Sequence, residues 1–96
     1  MNNSDILPAA RAEYHEAFDW YSERSAPAAS RFAAEVESAI DQICQHPLRF
    51  ARWDEVYRYY KLHRFPYFVA YRQTADSVVI VAIRHASRDQ DAWIGR

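Results

Sequence analysis

Phe65-Pro66-Tyr67-Phe68-Val69-Ala70-Tyr71-Arg72, then the polar break Gln73-Thr74-Ala75-Asp76-Ser77, then Val78-Val79-Ile80-Val81-Ala82-Ile83, is the stretch that decides the fold. In its first segment Phe65, Tyr67, Val69 and Tyr71 alternate with Pro66, Phe68, Ala70 and Arg72, the period of two that belongs to a strand. The polar break reads as a hairpin turn. The second segment is continuously apolar and β-branched, which predicts a central strand covered on both faces. Immediately upstream, the tyrosine-rich run from Val56 to Arg64 suits a further strand, so three antiparallel strands follow one another as a meander. Between Pro47 and that run, residues 48–55 read as irregular and carry Phe50 and Trp53.

Farther upstream the period lengthens. Ala29, Phe32, Ala33, Val36, Ile40 and Ile43 form one apolar stripe at helical spacing, with Arg31, Glu35, Ser38, Asp41, Gln42 and Gln45 opposite. Ser25 supplies an N-cap, Pro27 an early helical proline, and Pro47 the stop. Ala10, Tyr14, Ala17, Phe18 and Tyr21 make an earlier helical stripe that ends near Arg24, with Glu13, Glu16 and Glu23 lying off it. Pro8 suits the first turn of that helix, and Leu7 before it is pushed towards extended backbone, so a short strand is expected to end near Leu7. The order is strand, helix, helix, then the meander. That predicts a single α+β domain over residues 1–96, its antiparallel two-helix hairpin packed on one sheet face. Residues 86–96 are expected to form one helical turn around Trp93.

Composition narrows the function classes. Half of the 96 residues are apolar, enough for one core. The single glycine, Gly95, excludes a phosphate-cradling glycine loop and with it a dinucleotide or nucleoside-triphosphate cofactor of that type. Lone Cys44 cannot form an internal disulfide, and Met1 to Asp5 lack a secretion signal, so the cytoplasm is expected. No apolar run approaches the ~20 residues of a membrane helix, and no membrane role is expected. His15, His46 and His63 fall on separate elements without paired ligand spacing, which argues against a metal site. Cys44, on the flank of the second helix's stripe, reads as core packing.

Charge is divided along the chain. Residues 1–47 set three arginines against eight acids, whereas residues 48–96 set nine basic residues against five acids. The second half is expected to face an anionic partner.

The frame Arg64-Phe65-Pro66-Tyr67-Phe68-Val69-Ala70-Tyr71-Arg72, then His85, Arg88, Trp93 and Arg96, resembles toxins of the RelE/ParE family. Ile6-Leu7-Pro8-Ala9-Ala10, Asp19-Trp20-Tyr21, Ala28-Ala29 with Phe32, and His46-Pro47 are similar to that family's N-terminal half, so the likeness covers nearly the whole chain. The resemblance implies the toxin of a type II toxin–antitoxin, or plasmid stabilisation, system. A cognate antitoxin would neutralise it in a toxin–antitoxin hetero-oligomer.

Two activities are implied by different branches. A RelE-like ribosome-dependent messenger-RNA endoribonuclease would use His85 for proton transfer and Arg64 and Arg88 for phosphate. A ParE-like toxin would bind DNA gyrase without hydrolysis. Lys61 is the only lysine, a poor match to phosphate-driven ribosome binding, which favours the ParE-like branch. Arg64, Arg88, Trp93 and Arg96 are the expected target-binding residues, and Trp20 and Trp53 the expected antitoxin contacts. His85 shares strand parity with Val79, Val81 and Ile83, and so reads as a structural, hydrogen-bonded histidine. On a regular strand it would not share a site with Arg84. A non-toxic family member serving only as a binding partner is the third reading.

Overall fold

In the computed structural model, which describes residues 4–88 and 91–96, β1 (Ser4–Ile6) leads into α1 (Pro8–Arg24) and α2 (Ala26–Gln45). Four strands follow: β2 (Ala51–Arg52), β3 (Tyr57–Lys61), β4 (Tyr67–Gln73) and β5 (Val78–His85). Both helices begin and end where the local signals place them. Pro8 opens α1. Ser25 extends the backbone between the helices, and its Oγ accepts the Ala28 N–H at 3.2 Å. That cap satisfies one of the donors every helix start leaves unpaired.

The sheet has five strands in the order β1-β5-β4-β3-β2. The expected meander is its antiparallel centre, and two additions widen it. β1 pairs in parallel with β5, Ser4 opposite Val78 and Ile6 opposite Ile80. The segment read as irregular contributes β2, with Ala51 opposite Tyr59. The β3–β4 turn is longer than the alternation suggests, and Arg64 lies in this turn, not in a strand.

One bulge reorganises the far end of β5. Ala70 faces Ala82 while Tyr71 faces Ile80, so Val81 is the extra residue. Val78 and Ile80 face the helices before the bulge and Ile83 after it, whereas Val79, Val81 and Ala82 face away. The parity assigned to His85 is therefore corrected: it lies on the helix side with Ile83, opposite Tyr67, and not with Val79 and Val81.

Two cores result. The helix-side core joins Ala10, Ala17, Phe32, Val36 and Ile43 to Val69, Tyr71 and Ile80. Alanines at 10 and 17 let α1 lie close to the sheet. On the other face Trp93 is 0% exposed and packs against Trp53, Tyr57 and Phe68 at 5.0–6.2 Å between ring centres. The tail is held by turn bonds from Ile94 N–H to Asp91 O and from Arg96 N–H to Trp93 O. Gly95, the sole glycine, takes a positive φ of 99° there, and its N–H donates to the Tyr57 hydroxyl.

Candidate functional site

A cleft of about 380 Å³ opens where α1 crosses the end of β5, between Glu13, Glu16 and Trp20 on the helix and Tyr67, Arg84, His85 and Arg88 on the sheet. Its floor is a strand edge. β1 covers β5 only as far as Ile80, leaving the backbone beyond exposed to solvent or to side chains. Glu13 and Arg96 occupy that edge: Glu13 Oε1 accepts the Ile83 N–H at 3.2 Å, and Arg96 donates to the Val81 carbonyl at 3.1 Å.

Glu13 also binds two guanidinium groups, Arg84 at 2.7 Å and Arg96 at 3.1 Å. Arg84 starts on the face opposite His85, yet its long side chain reaches round the strand edge into the same cleft. The expectation that these two residues would not share a site is thus overturned, because strand parity fixes the Cβ direction and not where a guanidinium ends. Glu13 itself follows Ala10 by three positions and precedes Ala17 by four, placing it on the flank of the buried stripe. That spacing is the signal that could have marked it, although the stripe alone places it on the solvent side.

His85 is engaged by its own turn. Nδ1 accepts the Ser87 N–H at 3.0 Å and lies 2.7 Å from the Ser87 hydroxyl. A backbone N–H only donates, so the ring proton in this arrangement sits on Nε2. The Tyr67 ring stands edge-on to the imidazole at 5.1 Å. Burial raises the Tyr67 phenol above its ordinary pKa; nearby Arg88 partly offsets this and Glu16 adds to it.

The expected site residues are divided among three places. His85, Arg88 and Trp20 line the cleft, with Arg88 paired to Glu16 at 3.2 Å across an exposed surface. Arg96 borders it through Glu13. Arg64 lies in the neighbouring β3–β4 turn and has no carboxylate within ion-pair distance among the described residues. The backbone of that turn is held by Glu35, which accepts from the His63 and Arg64 N–H groups, an assignment its solvent-side helix position concealed. Trp53 and Trp93 pack on the opposite sheet face; Trp20, 49% exposed, carries the Arg24 guanidinium 3.8 Å above its ring. The two tryptophans expected to meet one partner therefore point to opposite sides of the sheet.

Residues 5–90 match the model of the ParE toxin of the type II toxin–antitoxin system parDE. The chain belongs to the ParE toxin family. It is 33% identical over 78 residues to Toxin ParE2 of Mycobacterium tuberculosis, covering 80% of this chain and 74% of that protein. Its fold is similar to a chain of the chromosomal ParDE toxin–antitoxin system from P. aeruginosa, with a TM-score of 0.75 at 20% identity. That match covers 88% of this chain and 96% of the other. Membership of the ParE family, rather than the RelE branch, agrees with the scarcity of lysine.

Proposed function

We propose that this ParE-family toxin acts in the cytoplasm by binding DNA gyrase and is neutralised by a cognate antitoxin in a hetero-oligomer. The observation that carries the reading is the division among the arginines at the cleft end. Arg84 and Arg96 are committed to Glu13, whereas Arg64 is exposed and the ion pair of Arg88 with a described residue, Glu16, is solvent-facing. Exposed pairs contribute ~0–1 kcal/mol each, so Arg88 exchanges Glu16 for a partner's carboxylate at little cost. Charge placed this way steers association and register. Trp93 and Arg96 serve the same surface indirectly by seating the tail.

Trp20 is the anchor assigned to the antitoxin, being a large, half-exposed aromatic beside the cleft. Trp53 reaches the antitoxin only along the tail face, where Trp93 already covers one side of its ring. The setting of His85 weighs against the ribonuclease reading, since its Nδ1 is used within its own turn.

Arg64→Glu/Arg88→Glu, tested for gyrase capture and for inhibition of supercoiling, is expected to lose both while keeping the wild-type melting temperature. Undiminished gyrase binding by that double variant would remove the proposed surface. Cut transcripts that disappear in His85→Ala would replace the reading with ribonuclease action.

A further inference from the structure

The end of the sheet remote from His85 carries a second cleft, of about 300 Å³, where β3 begins and β4 ends. Arg52, Arg58 and Arg72 line it, together with Leu48 and Val56, which are 68% and 60% exposed. We infer that this cleft is a docking site for an extended acidic peptide segment of a partner protein, its carboxylates taken by the three arginines and an apolar side chain by Leu48 and Val56.

Three observations support it. First, none of the three guanidinium groups has a carboxylate within ion-pair distance among the described residues, although Asp54 and Glu55 line the same cleft. The Asp54 carboxylate is already taken by the Val56 and Tyr57 N–H groups, each at 2.8 Å. Second, the half-buried arginines are held in place while most of their donors stay available. Arg58 donates to the Phe50 carbonyl at 2.8 Å, and Arg72 to the Arg96 carbonyl at 3.4 Å. A guanidinium has five N–H donors, so Arg58 and Arg72, each fixed by one bond among the described residues, are preorganised for carboxylate oxygens.

Third, the positions are set by the sheet. Arg58 lies opposite Tyr71, on the helix side, and Arg72 opposite Tyr57, on the tail side, so the two flank the strand ends. Leu48 and Val56 then supply exposed apolar area beside a lining in which three arginines outnumber the two carboxylates of Asp54 and Glu55, a pairing that suits an acidic chain with one apolar residue better than a bare anion. Edge strand β2 ends at Arg52 alongside. This site lies at the opposite end of the sheet from Arg64 and Arg88, and the proposal stands apart from the gyrase reading.

The test is a titration of the ¹⁵N-labelled full chain, read at the arginine Nε–Hε resonances. The probes are the blocked peptide Asp-Glu-Leu-Asp-Glu and its amide counterpart Asn-Gln-Leu-Asn-Gln. Expected are saturable shifts at Arg52, Arg58 and Arg72 with the acidic peptide, weakened by salt and roughly tenfold weaker in Arg52→Gln. Arg52 is exposed and bonded to no other described side chain, so that variant keeps its fold; Leu48→Ser/Val56→Ser is expected to weaken binding as well. Equal binding of both peptides, or no shift at millimolar peptide, overturns the proposal. Shifts at the same resonances induced by oligothymidylate at lower concentration than by the peptide would reassign the cleft to phosphates.

Discussion

One face of the sheet is covered by two helices of 17 and 20 residues, the other by residues 91–96 of the tail with Trp53. The helix-side core spreads its burial over Phe32, Val36, Ile43, Tyr71 and Ile80, so no single side chain holds the layer. The tail side depends on Trp93, which touches Trp53, Tyr57 and Phe68 from one position. A buried tryptophan removes 150–250 Å² from water, about 4–6 kcal/mol at 25 cal/mol per Å². The Trp93 Nε1–H has no protein acceptor among the described residues, which offsets about 1–3 kcal/mol of that gain. A redundant core and a single-anchor core should therefore fail differently.

The largest expected effect tests that directly. Trp93→Ala should cost about 4 kcal/mol by urea unfolding and free Trp53, seen as red-shifted fluorescence. Trp93→Phe, which removes the orphaned donor with part of the ring, should cost less. Equal losses in the two variants would break the single-anchor description.

Glu13 joins the two sides, since it holds α1 to the edge of β5 and to Arg96 of the tail. Glu13→Gln should cost about 2 kcal/mol and raise amide exchange at Ile83. Loss of exchange protection there without tail loosening would separate the two roles.

On the helix side, the Tyr71 hydroxyl donates to the Pro47 carbonyl at 2.6 Å, and burial pushes its pKa up to about 12, with Arg58 pulling slightly the other way. The fold thus prefers the neutral phenol. Its contribution is complete below the ordinary phenol value of 10.0 and is lost as pH rises from there towards about 12. Tyr71→Phe should cost roughly 1.5 kcal/mol at neutral pH and flatten the alkaline decline in the urea midpoint. An unchanged slope would assign that decline to other tyrosines. Smallest, Ser25→Ala should remove about 1 kcal/mol through the lost cap of α2, measured by thermal melting, and leave the tail side untouched.

How much of this was legible varies with the range of the interaction. α1, α2 and the β4–β5 hairpin were readable because stripes, caps and prolines act within a few residues. Residues 48–55 were not read as a strand, because two residues paired to Tyr59 and Arg58 carry no periodicity of their own. Of the candidate site, Arg88 and His85 were found through the family frame, whereas Glu13 and Glu35 were read as solvent-side charges although each binds backbone of a distant strand or turn.

The amino-acid order by itself determined the element types, the hairpin and the alternating faces of β4, since these depend on steric and hydrogen-bonding preferences of adjacent residues. Only the tertiary structure decided the parallel seat of β1 on β5, the bulge at Val81 that turns His85 towards the helices, and the burial of the tail's Trp93 against the sheet. Each of those is a choice between partners far apart in the chain, made by whichever pairing leaves the fewest buried polar groups and the least exposed apolar surface.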